Sequence, residues 1–358
     1  MEDVARTAAV STATVSRVLN TPELVAPETL ERVHKAIAQL GYRPNVFAQG
    51  LTTRKSYLLG ILLPDIHGEF YSELIRGADA EARRLGYSLL VGSEGLAGDG
   101  GGKLPLFSSN IIGFIAGLAV MITEPNEQLW AQAHGAGLPL VVIDETLHGN
   151  GVDRVLVDNR AGTLEAMNHL LSPAFAGAEK PIAPERCYFL GGPKENFDTA
   201  ARAKVFIEAL AARGRKATAD QVRYGEYSVE WGQRAGEELF GERARGAGGR
   251  KGEGEKGGKG ERSSGPIGVL AANDEIAFGL LQVAKDLGVG VPSELRLIGF
   301  DDTRLASLVR PQLSSVRVPM AEVGAAAVRM LAERVQEPKR STTTMTLPTR
   351  LVVRGTSG

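Results

Sequence analysis

The chain has 358 residues, a length that suits two or three domains and more than one buried core. Its 41 Lys and Arg balance 42 Asp and Glu to a net charge of −1, so the whole chain carries no polyanion-binding signature, and its single cysteine, Cys187, excludes an intramolecular disulfide and fits a reducing cytoplasm. No N-terminal apolar run resembles a secretory signal and no stretch is long enough to span a bilayer, which sets membrane functions aside.

Short helices are expected over Glu2–Ala9 and Thr12–Leu19, with Val4, Ala8, Val10, Val15 and Val18 apolar and Ala5 small at the crossing. Ser11 precedes the second helix as an N-cap whose hydroxyl can accept from first-turn amides. This spacing is that of a helix-turn-helix, whose second helix lies in the major groove of DNA. A third helix, Pro27–Leu40, begins on a proline, aligns Leu30, Val33, Ile37 and Leu40 on one face and ends at Gly41. Seven Lys/Arg against five acids in the first 55 residues add modest electrostatic support.

From Tyr57 the pattern changes to apolar runs alternating with amphipathic helices. Strands are expected at Tyr57–Leu63, Tyr87–Val91, Phe114–Ile122, Pro139–Ile143, Val152–Val157, Arg186–Leu190, Ile267–Ala271 and Leu295–Phe300. Helices are expected at Phe70–Leu85, Asn126–Ala136, Arg160–Leu171, Thr199–Ala212, Asp274–Leu287 and Ala321–Val335. Such alternation implies parallel sheets covered on both faces, with ligands bound beyond the carboxyl ends of the strands. Two stretches fit this pattern poorly. Residues 95–110 crowd glycines around Asp99–Lys103, against a helix there. Residues 241–265 hold ten glycines, seven Lys/Arg and four Glu without a large aliphatic side chain, and read as a disordered surface insertion.

The runs DVARTAAVSTATVSRVLN (Asp3–Asn20) and ETLERVHKAIAQLGYRPNVFAQGL (Glu28–Leu51) resemble the DNA-binding headpiece and hinge of the lactose-repressor (LacI/GalR) family of bacterial transcription regulators. The resemblance implies an all-α headpiece over residues 1–44 and a hinge helix over 45–56. A two-lobe α/β core of parallel Rossmann-like sheets, like periplasmic sugar-binding proteins, follows over 57–358. The lobes are expected at 57–145 with 319–342 and at 146–318 with 343–358, so that the chain crosses near Glu145, Pro319 and Thr343.

The resemblance assigns Thr12, Ala13 and Arg17 to base edges, where an arginine suits guanine and a methyl suits thymine. Thr14, Ser16, Asn20 and Asn45 are assigned to the DNA contact surface, and Leu51 to the minor-groove wedge that bends the duplex. It assigns an effector pocket to Asp65, Phe70, Asp144, Arg202, Tyr227, Asn273, Asp274 and Asp301. Carboxylates accept hydroxyl hydrogens there, the guanidinium donates, and an aromatic face covers a sugar ring. Three departures stand out: Ala9 replaces the turn glycine, Gly50 weakens the hinge helix, and His67-Gly68-Glu69 replaces an Asn-Pro pair. The residues that cap the first helix are absent before Met1, so translation starts upstream or the headpiece is less stable.

Enzymatic signatures are absent: Gly191-Gly192-Pro193 lacks the spacing of a dinucleotide loop, and His34, His67, His134, His148 and His169 show no metal-ligand pattern. No cofactor is implied. The expected function is a cytoplasmic, nucleoid-associated homodimeric repressor that reads a pseudo-palindromic operator and responds to a carbohydrate-like effector. The alternative is a sugar sensor with impaired DNA binding.

Overall fold

A computed structural model of the chain describes residues 1–42, 56–93, 113–144, 151–172, 182–247 and 265–358. The expected hinge with Asn45, Gly50 and Leu51, and the glycine-rich stretch 95–110, lie outside these residues. The chain divides into two compact units, Met1–Tyr57 and Leu58–Gly358.

The first unit holds α1 (Glu2–Thr7), α2 (Thr12–Asn20) and α3 (Pro27–Leu40) around a core of Val4, Ala5, Ala8, Val15, Val18, Val33 and Ala36. The Ser11 hydroxyl accepts from the Thr14 amide at 3.1 Å, which fixes the start of α2. Leu40 departs from the expected apolar face and is exposed, its place in the core being taken by Ala36. The first helix stops at Thr7 rather than Ala9, because Ala9 adopts a left-handed backbone at φ +50°. That conformation costs an L-residue about 1–2 kcal/mol and glycine almost nothing. Ala9→Gly is therefore expected to stabilise the headpiece by about 0.5–1 kcal/mol, the extra chain entropy of glycine offsetting the remainder. Slower hydrogen exchange of the α1 and α2 amides in the full chain is the check.

The second unit carries two six-stranded sheets. The first comprises β1 (Leu58–Leu63), β2 (Ser88–Ser93), β3 (Gly117–Met121), β4 (Leu140–Ile143), β5 (Asp153–Val157) and β11 (Thr344–Leu347), in the order β11-β5-β4-β3-β1-β2, every pair parallel. The second comprises β6 (Cys187–Gly191), β7 (Val222–Tyr224), β8 (Ile267–Ala271), β9 (Leu295–Asp301), β10 (Ser314–Arg317) and β12 (Arg350–Val352), in the order β12-β10-β9-β8-β6-β7, with only the β10–β12 pair antiparallel. In each sheet the order reverses about one inner strand, β1 or β6, the arrangement that opens a crevice at the carboxyl ends.

Helices α4 (Gly68–Arg84), α5 (Glu127–Gly135) and α10 (Met320–Gln336) accompany the first sheet. Helices α6 (Asn159–Leu171), α7 (Phe197–Ala211), α8 (Val229–Ala247) and α9 (Asp274–Asp286) accompany the second. α4 and α10 touch backbone to backbone: a Cβ at Gly77 would lie 1.8 Å from the Ala321 carbonyl oxygen, so only glycine allows the crossing. Residues 241–247, expected in the disordered insertion, continue α8. No helix among the described residues is long and apolar enough to cross a membrane.

The sheets move two of the three expected lobe crossings. β5 and β11 pair within the first sheet, so the chain crosses at Asp158, at Val318–Pro319 and at Pro348–Thr349 instead of near Glu145, Pro319 and Thr343. A short apolar run marks a strand but does not say which sheet it joins. Buried Asp153 decides the matter for β5: it accepts from Arg334 in the last turn of α10, from Arg340 beyond that helix and from the Thr343 amide before β11.

Candidate DNA interface and ligand cleft

On α2 the packing determines what is left for a partner. Val15 and Val18 are buried, so the opposite face presents Thr12, Ala13 and Arg17 to solvent, with Thr14 and Ser16 partly covered. Thr14 also pairs its hydroxyl with that of Ser11 at 2.9 Å, which gives it a role in the cap. Residues 12, 13, 16 and 17 lie one turn apart on the exposed face of a helix capped at its N-terminus, the geometry a recognition helix requires. Asn45 and Leu51 fall outside the described residues.

In the second unit the carboxyl ends of β1, β3, β8 and β9 open on a cavity of about 470 Å³ between the lobes. Seven of the eight expected pocket residues line it: Asp65 and Phe70 from the first lobe, Arg202, Tyr227, Asn273, Asp274 and Asp301 from the second. Asp144 ends β4 and is buried behind the lining, where it acts on Arg202 and Asp198. The lobes meet directly on both flanks of the cavity. Glu69 accepts from the Arg304 amide at 2.6 Å, and the Thr123 carbonyl accepts from the Phe197 amide at 2.8 Å. Phe70 and Asp301 also face a second cavity, about 570 Å³, beside the crossings at Pro319 and Pro348.

Arg202 is fixed on every side. Nε donates to Asn159 at 2.8 Å, Nη1 to the Ala272 carbonyl at 2.5 Å and Nη2 to Asp198 at 2.9 Å, and the guanidinium lies 3.7 Å over the Phe300 ring. Tyr227 is held by its hydroxyl, which meets Thr199 at 2.7 Å and donates to Asn196 at 3.0 Å. A Cβ on Gly192 would meet the Tyr227 ring at 2.6 Å, so the Gly191-Gly192 pair makes room for an aromatic wall and not for a nucleotide.

Two expected ligand residues are committed to the protein. Asn273 caps α9, its Oδ1 accepting from the Ile276 amide at 2.9 Å. Asp274, the next residue, accepts from Ser315 at 2.6 Å and from the amide and hydroxyl of Thr303 at 2.7 and 2.9 Å. It positions the turn after β9 and is about 1% exposed. Burial pushes its carboxyl up to about 7, against the pull of those donated hydrogen bonds.

Asp301 and Asp144 contrast with it. Neither carboxylate accepts a hydrogen bond from the described residues, and both sit in left-handed backbone, at φ +101° and +64°. Burial holds both well above the usual carboxylate range; Asp198 reinforces this at Asp144, Asp274 at Asp301, and Arg202 opposes it at both. The sequence reading missed Asp198, Asn159, Asn196, Thr199 and Tyr71. Asp198 was recoverable from its i, i+4 spacing to Arg202 on α7. No group of three or more His, Cys, Asp or Glu among the described residues is arranged to hold a metal.

These carboxyls set a pH dependence with a definite sign. Asp144, Asp274 and Asp301 keep their protons in the native cleft to higher pH than in the unfolded chain. From about pH 4 to about pH 7 the native state thus binds more protons, and stability falls as pH rises through that window. Glu81, pulled down to about 2 chiefly by its hydrogen bond from Arg84, acts oppositely but only below its ordinary value. The denaturant midpoint of the second unit is expected to be higher at pH 5 than at pH 7.5, and Asp301→Asn to flatten the difference.

The chain matches three family descriptions: bacterial regulatory proteins, lacI family, over residues 1–45; periplasmic binding proteins and sugar binding domain of LacI family, over residues 56–243; and a periplasmic binding protein-like domain over residues 185–357. It is 30% identical to catabolite control protein A of Priestia megaterium over 352 residues, covering 98% of this chain and 97% of that protein. Identity to the protein of the same name from Staphylococcus xylosus is 30%, with 99% and 98% covered. In fold it is similar to the lac repressor dimer bound to operator and the anti-inducer ONPF, with TM-score 0.80, 23% identity and 99% and 98% coverage. It is also similar to the transcriptional regulator CelR in complex with cellobiose, with TM-score 0.67, 24% identity and 100% and 99% coverage.

Proposed function

The chain belongs to the LacI family of bacterial transcriptional regulators, and from that premise we propose that it represses transcription as a homodimer whose grip on a pseudo-palindromic operator is set by a small hydroxylated ligand in the cleft between its lobes. One observation carries the reading. Side chains from the carboxyl ends of strands in both sheets converge on one cavity, in a chain whose second helix is capped by Ser11 and exposes Thr12, Ala13 and Arg17. On this reading each side chain has a role. Arg17, with Thr12 and Ala13, reads base edges, and Thr14 and Ser16 position the helix on phosphates. Tyr227 offers a ring face, Arg202 its remaining donors, and Asp301 and Asp144 their acceptors. Closure about the crossings at Asp158, Val318–Pro319 and Pro348–Thr349 changes how the first lobes present the segments leading to DNA. Such coupling is typically worth about 1–3 kcal/mol.

A fluorescence-anisotropy titration against DNA from the region upstream of the gene, beside a scrambled duplex at fixed salt, tests the proposal. Selective binding that a sugar or nucleoside shifts is the expected result. Arg17→Ala is expected to cost about 1–3 kcal/mol at one base position while leaving the salt dependence nearly intact. Equal weak binding to both duplexes would instead support a ligand sensor with a crippled headpiece, a reading that the strained Ala9 backbone favours.

A further inference from the structure

The second cavity, about 570 Å³, lies where two of the crossings pass between the lobes and is lined by residues of both. Arg317 ends β10 just before the crossing at Val318–Pro319, and Arg350 opens β12 just after the crossing at Pro348–Thr349. The two strands pair antiparallel with Arg317 directly opposite Arg350, so both side chains leave one face of the sheet, and both line the cavity. Like charges in that register repel. Asp302 relieves Arg317 through Nε and Nη2, both at 2.6 Å, but not through Nη1. Arg350 makes no side-chain hydrogen bond or ion pair among the described residues. Most of the acids around the pair are engaged. Glu73 binds Arg76 through both oxygens, Glu69 accepts from the Arg304 amide, and Asp302 is shared between Arg317 and Arg354. Burial holds Asp301 toward its uncharged form, and Glu322 is an exposed acid on the rim.

We propose that this cavity binds a small organic anion, a carboxylate or phosphate monoester on a flat apolar body, whose head bridges Arg317 and Arg350. The body rests on Phe70, Val318, Pro319, Met320 and Pro348, the apolar part of the lining. An oxyanion accepts from both guanidinium groups and supplies the negative charge that turns their repulsion into shared attraction. The first turn of α10 lines the same cavity and begins at Met320 without a side-chain cap, so the positive end of that helix adds to the field. A bound anion joins the strand that enters one crossing to the strand that leaves another, on the line about which the lobes close. The site is independent of the effector cleft, whose lining includes neither Arg317 nor Arg350.

Isothermal titration of the full chain at pH 7 and low salt tests this with benzoate and phenyl phosphate, beside benzamide as the neutral counterpart and inorganic phosphate as a head without a body. One of the two organic anions is expected to bind tenfold or more tightly than both benzamide and inorganic phosphate, and which of them it is names the head group. Arg350→Gln is expected to weaken that binding tenfold or more at an unchanged melting temperature, since the side chain has no described ion pair to lose. Glu322→Gln is expected to tighten it several-fold by removing the exposed acid on the rim. Tyr227→Ala, on the wall of the other cavity, is expected to leave it as it was. Organic anions that bind no better than benzamide, or binding that Arg350→Gln leaves undiminished, overturn the proposal. Inorganic phosphate that binds as tightly as either organic anion also overturns it, because the apolar floor then contributes nothing. Binding lost in Tyr227→Ala but kept in Arg350→Gln places the anion in the effector cleft and overturns it as well, while the cleft reading stands.

Discussion

Arg202→Met is expected to lower the stability of the second unit by about 3–5 kcal/mol and to abolish the ligand response at neutral pH. The guanidinium is about 2% exposed and is the cation that Asp144, Asp198 and Asp301 share. Its removal strands three carboxylates in a site that water barely reaches and opens a gap over the Phe300 ring. Lysine is not expected to rescue it, since one ammonium cannot reach Asn159, Asp198 and the Ala272 carbonyl together. Acidification is expected to shrink the deficit, because protonated carboxyls need no partner. Adding Asp198→Asn separates the two roles of the arginine. The double variant is expected to regain part of the lost melting temperature while remaining blind to ligand. Recovery of both would make Arg202 purely structural, and recovery of neither would place its main contacts elsewhere.

The contrast between Arg202 and Asp274 shows what a sequence can convey about such a site. Spacing and family pattern placed both on the pocket wall, and both are there. The pattern could not say that the lone pairs of Asp274 are occupied by Ser315 and Thr303, since those partners lie 41 and 29 residues away. Nor could it reveal that Asp144 and Asp301 lack donors among the described residues, because an unmet hydrogen bond is a property of the whole neighbourhood. In the fold, strands were legible from their apolar runs and helices from their periodicity, while the assignment of β5 and β11 to a sheet was not. A run of four or five residues carries its own burial but not its neighbour's identity. The left-handed backbone at Ala9 was legible only through the resemblance, which puts glycine there; alanine by itself reads as the end of the first helix.

The second large effect is expected at Asp153, a residue that touches no ligand. Its side chain is fully buried and binds five donors. Oδ2 accepts from Arg334 Nε at 2.9 Å and Arg340 Nη2 at 2.8 Å, and Oδ1 from Arg334 Nη2 at 3.2 Å, the Thr343 amide at 2.8 Å and the Thr343 hydroxyl at 3.2 Å. Arg334 also donates to the carbonyls of Pro338 and Ser341, so one carboxylate fastens the end of α10, the following turn and the start of β11 onto β5. Asp153→Ala leaves two largely buried guanidinium groups without their shared anion, Arg340 keeping only the longer ion pair with Glu333 at 3.8 Å. It is expected to cost about 3–5 kcal/mol, which lowers the melting temperature of this unit by about 10 °C. Asp153→Asn is expected to cost nearly as much, because its amide NH₂ would face donors. The headpiece has a separate core of Val4, Val15 and Val33, so its own helical transition is not expected to move. Because β11 leads into the crossover at Pro348–Thr349, exchange of its amides is expected to quicken before the rest of the sheet opens. Uniform loss of protection across both sheets would show that the clamp holds the whole unit and not one edge of it.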